Sequence, residues 1–276
     1  DSLDLSVGTR NDNINGDVSS VQALLLDKGS DNRISLREAM HAANNTPGPN
    51  KIVMDRTFNI SLDSSYGPLP SLVDLTGGTT IDGANSTVTN NTPGQDVFDI
   101  TSAGNAISGL TISGNMGNGV TIRGVNGTDN VIGPFAGATL ANLFAGNLVY
   151  AVDISGGAAR NQIRENDFST STGDTQITIS AGSNGDVQPP VLTGVFPLEF
   201  TSARNSEVEV FVRSVDGTSS TYLTTVNVDA TGQFSGRVPL LEAQAGSNLT
   251  VALTVTDSEG NTSEFSNALP IPRRVP

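Results

Sequence analysis

The sequence predicts an all-β chain: a parallel β-helix plugged at its N-terminal end by a helix, then an antiparallel β-sandwich. Three observations predict it. A capping box opens one short amphipathic helix at Ser35. Very short apolar-x-apolar segments recur at Phe98, Val120, Val152 and Ile177, the mark of a solenoid. Beyond Pro189-Pro190 the apolar segments lengthen and alternate, as sandwich strands do.

The 276 residues give room for one large all-β domain or two moderate ones. The absence of Cys excludes a disulfide framework and cysteine metal sites. With His41 the only histidine, multi-histidine metal sites are excluded too, and any Ser-His-Asp triad would have to use it. Asp and Glu number 28 against 14 Lys and Arg, a formal charge of −14. That balance repels phosphate, so neither nucleic acid nor an anionic membrane is an expected partner. No apolar run approaches the roughly 18 residues of a membrane span, so no membrane insertion is expected. The chain opens on Asp1 rather than Met, is poor in Lys and is rich in Asn, Thr, Ser and Gly. These features lead us to expect a secreted or cell-surface protein whose leader is missing.

Near the start, Leu3, Leu5 and Val7 alternate. They predict a first strand within the cap, or a strand lent to the sheet edge of a neighbouring subunit. In the capping box, the Ser35 hydroxyl accepts from the Glu38 N–H and the Glu38 carboxylate reaches back to Ser35. Leu36, Ala39, Met40 and Ala43 follow on one apolar face, and Asn44-Asn45 with Pro47 ends the helix. Ile52-Val53-Met54 and Ile60-Ser61-Leu62 read as the first short strands, with Gly77-Gly78 and Asp82-Gly83 as turns.

Strands this short cannot bury a face alone. Stacked at about 4.8 Å they pair in parallel and share one interior. Phe98, Val120, Val152 and Ile177 then form one column, Ile100, Ile122, Ile154 and Ile179 a second, and Ile107, Ile132 and Ile163 a third. Asn105, Asn130 and Asn161 precede the third column and are expected to stack at a corner, bonding along the axis. Unequal coil lengths are read as loops bulging from corners, 134–146 being the largest. Ile112-Ser113-Gly114-Asn115 echoes Phe144-Ala145-Gly146-Asn147. The solenoid domain is expected over 1–187. Over 191–276, Val208, Val210 and Val212 alternate, Asp216-Gly217 turns, and 222–228 and 249–255 are further strands of the sandwich.

Ile34-Ser35-Leu36-Arg37-Glu38-Ala39-Met40, with Ala42-Ala43-Asn44, resembles the Cys-Ser-Leu-Arg-Glu-Ala signature that opens many large bacterial surface proteins. Ile34 stands where that family usually has Cys. Lys51 to Asp55 and Thr80-Ile81-Asp82-Gly83 resemble its first coils. Val255-Thr256-Asp257 and Gly260 to Asn267 resemble the last strands of bacterial immunoglobulin-like modules. The resemblance implies a right-handed β-helix, an immunoglobulin-like sandwich and an extracellular setting. It implies no particular activity.

Cleavage of a glycosidic bond needs two carboxylates, roughly 5–5.5 Å or 6.5–9.5 Å apart. Asp99 and Asp153 fall on one outward stripe, two rungs or roughly 10 Å apart, with Arg123 beside them to bind a uronate. The plainer reading makes Asp99, Thr121, Asp153 and Gln176 the solvated positions of alternating strands. Polygalacturonase Asp-Asp and Gly-His-Gly arrangements are absent. His41 is read as a partly covered cap residue. Asn11, Asn13, Asn15 and Asp17 alternate with Gly16 among them, in the manner of a calcium loop, but Gln22 replaces the closing Glu; a polar turn is the plainer reading. Calcium is the one candidate cofactor. The tail carrying Arg273 and Arg274 is basic on an acidic molecule and is a candidate docking segment, or a frayed end. Taken together, these features lead us to expect a non-catalytic structural or adhesive surface protein that associates with itself, other surface proteins or glycans. A polysaccharide lyase or hydrolase and a glycan-binding module are the alternatives.

Overall fold

The computed structural model describes residues 4–74, 76–114, 117–146, 149–169 and 176–273. Leu3 and Arg274 lie outside them, as do Asn115 and Asn147 of the echo. The chain is mostly β, and residues up to about 180 wind as a parallel β-solenoid of about four turns.

Three faces recur in each turn. The first stacks Phe98–Ile100, Val120–Arg123, Val152–Ser155 and Ile177–Ile179, all parallel. Phe98, Val120, Val152 and Ile177 align in one column, and Ile100, Ile122, Ile154 and Ile179 in the next. All eight are buried except Ile179, which is half-buried. The second face runs from Asp4–Val7 through Asn50–Met54 to Val131–Ile132 and Gln162–Ile163, and aligns Ile107, Ile132 and Ile163. The third stacks Asn59–Ser61, Leu143–Ala145 and Asp167–Ser169. Two long strands, Thr79–Thr89 and Ala106–Ser113, pass through the bend between the second and third faces. A side chain at Gly83 in that bend would run into Leu110, so the corner requires glycine. Each fully buried aliphatic side chain contributes about 1.5–3 kcal/mol, which isolated three-residue strands could not collect.

The expected asparagine stack is present and longer than read. Asn130 Oδ1 accepts from the Asn105 N–H (2.8 Å) and Nδ2 (2.9 Å), and Asn161 Oδ1 accepts from the Asn130 N–H (3.1 Å) and Nδ2 (2.9 Å). Asn184 extends it, accepting from the Asn161 N–H at 2.8 Å. A second, unforeseen ladder joins Asn142 and Asn166 at 3.1 Å, each also donating to a carbonyl of the neighbouring second-face strand. These amides satisfy backbone groups that a corner takes out of the sheet.

The reading of 134–146 as a bulging loop is corrected. Leu143–Ala145 in it is a strand of the third face, paired with both neighbours, and Ile112 aligns with Phe144. The echo was a register signal, masked by the long excursion before it. The capping helix spans Leu36–Asn44 with both halves of the box formed. A further helix, Val21–Leu26, was missed; Ser20 caps it and Val21 and Leu24 are buried.

The C-terminal strands are antiparallel. Ser219–Val228, Ser206–Arg213 and Thr250–Thr256 lie side by side, and Val191–Gly194, Leu198–Thr201 and Gln233–Gly236 form a second sheet. Leu192, Phe200, Val208, Val210, Leu253 and Val255 share a core there. This unit is welded to the solenoid. Phe168 and Ser169 of the last rung pair antiparallel with Ser220 and Ser219, so one sheet continues across. Phe211 joins the solenoid core, packing on Phe168 (6.2 Å) and Phe265 (5.0 Å).

Candidate functional site

On the first face, parallel register places Asp99, Thr121, Asp153 and Thr178 in one row, as the spacing predicts. Arg123 closes on Asp99 with Nε at 2.6 Å and Nη2 at 2.8 Å, and the Ser71 hydroxyl donates to the same carboxylate. Burial pushes Asp99 up, but the bonds from Arg123 and Ser71 outweigh it and hold the group below the usual carboxylate range. Asp153 goes the other way. Burial raises it, the Ser155 hydroxyl at 3.2 Å offsets part of that, and the charge of Asp96 adds to the rise. Two members of the stripe are corrected from solvated to buried. Thr121 is 5% exposed, donating to Asp96 at 2.6 Å and accepting from Asn118 at 3.0 Å. Gln176 is fully buried, donating to the Gly217 carbonyl (3.0 Å) and accepting from Ser220 (2.6 Å). It belongs to the weld between the two units. Chemically, the flank offers one carboxylate whose pKa arginine lowers and one whose pKa burial raises. A shallow cleft of about 640 Å³ opens beside Arg123 between Val73 and Val125.

At the N-terminal end, the helix positions two buried charges. Arg37, 1% exposed, donates from Nε and Nη2 to Asp12 at 2.7 and 2.8 Å. It also donates to the carbonyls of Gly67 (2.9 Å) and Pro68 and lies over the Tyr66 ring, 5.8 Å from its centroid. Asp12 in turn accepts from the Asp63 N–H at 2.7 Å. Glu38, besides closing the capping box, accepts from the Asn15 and Gly16 N–H groups at 2.6 and 2.9 Å. The box was legible in the sequence; the grip of Arg37 and Glu38 on two distant loops was not.

The candidate calcium loop is therefore shaped by Glu38. Asn11 and Asn15 are exposed, and Asn13 keeps a buried Oδ1 without a hydrogen-bond partner. The hydroxyl and N–H of Ser19 hold Asp17 below the usual range. Three neutral amides and one already engaged carboxylate present less charge than a loop with several carboxylates. His41 is half-buried, and burial, then the charge of Arg37, push its pKa down. Among the assembly candidates, Leu5 and Val7 are fully buried and paired with Ile52 and Met54, so they serve the chain's own core. Arg273 is exposed.

One buried acid at the weld gave no sequence signal, because Glu209 sits in an ordinary alternating strand. It is 5% exposed, and its two oxygens share the Glu165 N–H at 2.9 and 3.1 Å. Burial pushes its pKa up to about 8, with Glu165 and Glu207 adding to the rise and Arg164 opposing it.

No protein-family model matches the chain, and no curated protein matches it.

Proposed function

We propose that the protein is a non-catalytic structural or adhesive component of a bacterial cell surface, of the kind its helix motif resembles. In this reading the coil is right-handed over 1–187 and the strands of 191–276 form an immunoglobulin-like sandwich. One observation carries the proposal: a single sheet runs from Asp4–Val7 through every turn of the solenoid and on into the C-terminal strands. A continuous ladder of backbone bonds is a stiff element, suited to bearing load and to presenting ends. The edge strands Asn59–Ser61 and Gln233–Gly236 leave backbone groups open to further pairing, whereas Asn267 covers the outer edge of Val191–Gly194 at Leu192. That favours end-to-end self-association, with the Arg273 tail meeting an acidic neighbour.

Sedimentation of the full chain at rising concentration, with and without calcium, tests this, alongside electron microscopy of the native material. Concentration-dependent growth into filaments is the expected result; a monomer under every condition retires the assembly reading. The opposed shifts of Asp99 and Asp153 favour polysaccharide cleavage as the second reading. New reducing ends released from acidic polysaccharides, and lost in Asp153→Asn, would put that reading first.

A further inference from the structure

The geometry points to a binding site for a neutral glycan in a cleft at the N-terminal end of the solenoid, with Tyr66 as the platform for a sugar ring. The cleft holds about 570 Å³, within the roughly 300–1,000 Å³ of small-ligand sites. Its walls are the loop carrying Arg10, Asn11 and Asn13, the edge strand carrying Asn59, and the turn carrying Asp63 and Tyr66.

Both loops are fixed from behind by one side chain. Arg37 binds Asp12 in the first loop and the carbonyls at the end of the turn, and its guanidinium lies over the Tyr66 ring. The turn is further held by Asp63 accepting from the Ser65 N–H at 2.9 Å. The walls are therefore pre-organised, which lowers the ordering cost of binding. Tyr66 is 46% exposed, leaving ring surface to a ligand.

The polar groups in front are not used up by the protein. Among the described residues, the side chains of Arg10, Asn11 and Asn59 make no hydrogen bond to the rest of the chain, and Asn13 Oδ1 is buried and unpartnered. On the first-face flank the opposite holds, since Asp96, Asp99, Thr121 and Arg123 are engaged with one another. Amides that both donate and accept, gathered round one aromatic ring, match a ring of hydroxyls with an apolar face. The charge in the cleft is nearly balanced, because Arg10 offsets Asp63 and Arg37 neutralises Asp12. A neutral sugar suits that balance better than a uronate or a phosphate.

The site does not rest on the assembly reading, but its Asn59 wall belongs to a sheet edge that assembly would cover, so it is tested on dilute, unassembled chain. Its test is calorimetric titration of the full chain with cellohexaose, chitohexaose, laminarihexaose and maltohexaose. Saturable binding of at least one is expected. Loss of the platform in Tyr66→Ala should weaken it roughly fivefold to tenfold, the size of one aromatic stacking contact. Asn59→Ala on the edge strand should weaken it as well and melt as the parent does, whereas Tyr66→Ala, which also loses the Arg37 guanidinium contact, should melt slightly lower. Absence of saturable heat with all the sugars overturns the proposal, as does binding that survives both substitutions unchanged.

Discussion

Raising the pH should loosen the weld between the solenoid and the C-terminal strands, and Glu209 sets the size of the effect. The groups facing it are Glu165 and Arg164 from the last rung, Glu207 on its own strand and Tyr222 on the neighbouring one. Its ordinary value of 4.5 rises to about 8 in the fold. Between those values the folded chain keeps a proton that the unfolded chain has released. Stability therefore falls as pH rises, being full below the lower value and lost by the upper. With about 1.4 kcal/mol per pKa unit, the loss between about pH 5 and pH 8 is about 3–4 kcal/mol if the carboxyl stays dry. For a chain of this size that corresponds to a fall in Tm of roughly 6–16 °C. Glu209→Gln copies the protonated acid and still accepts from the Glu165 N–H. Thermal melts followed by circular dichroism across that range should show a slope in the parent that is missing in the variant. Taking the difference between the two cancels the titrating groups that do not face Glu209, and leaves its own term with its coupling to Glu165, Glu207, Arg164 and Tyr222. Parallel curves would refute the reasoning and mean that water or a rearrangement solvates the carboxyl.

Three further outcomes follow from the same geometry. Arg37→Met leaves Asp12 buried without its counter-charge, with the Asp63 N–H as its remaining partner, and should cost about 3–5 kcal/mol in urea unfolding; adding Asp12→Asn should recover part of that. Asn130→Ala breaks bonds on both sides of the corner ladder and should cost about 2–4 kcal/mol, whereas Asn126→Ala, at an exposed position nearby, should change stability by less than about 0.5 kcal/mol. Phe211→Ala removes the aromatic wedge between the two units and should cost about 3–5 kcal/mol, with protection from hydrogen exchange lost first around Phe168 and Phe265.

The columns of Phe98, Val120, Val152 and Ile177 were legible because a solenoid repeats one local problem, and each rung must solve it with the same few residues. The Asn-x-Ile corners were legible for the same reason. Asn184 escaped because Gly185-Asp186 follows it with no apolar residue, whereas the Asn142–Asn166 ladder does carry a signal, Asn142-Leu143-Phe144 echoed by Asn166-Asp167-Phe168, which differs from the Asn-x-Ile corners in its Phe. The strand at Leu143–Ala145 was hidden behind an insertion of irregular length, since periodicity fails wherever spacing does.

By itself, then, the sequence determined the features that depend on near neighbours: the capping box, the helix it opens, the short strands and their shared registers. Only the tertiary structure decided what distant segments do to one another. It turned Thr121 and Gln176 inward, tied Arg37 to Asp12 and to the Tyr66 turn, and sealed Glu209 against the last rung. The physical reason is that burial and charge pairing belong to the space between segments. A residue such as Glu209 has the same letters on either side of it whether its strand faces water or another unit.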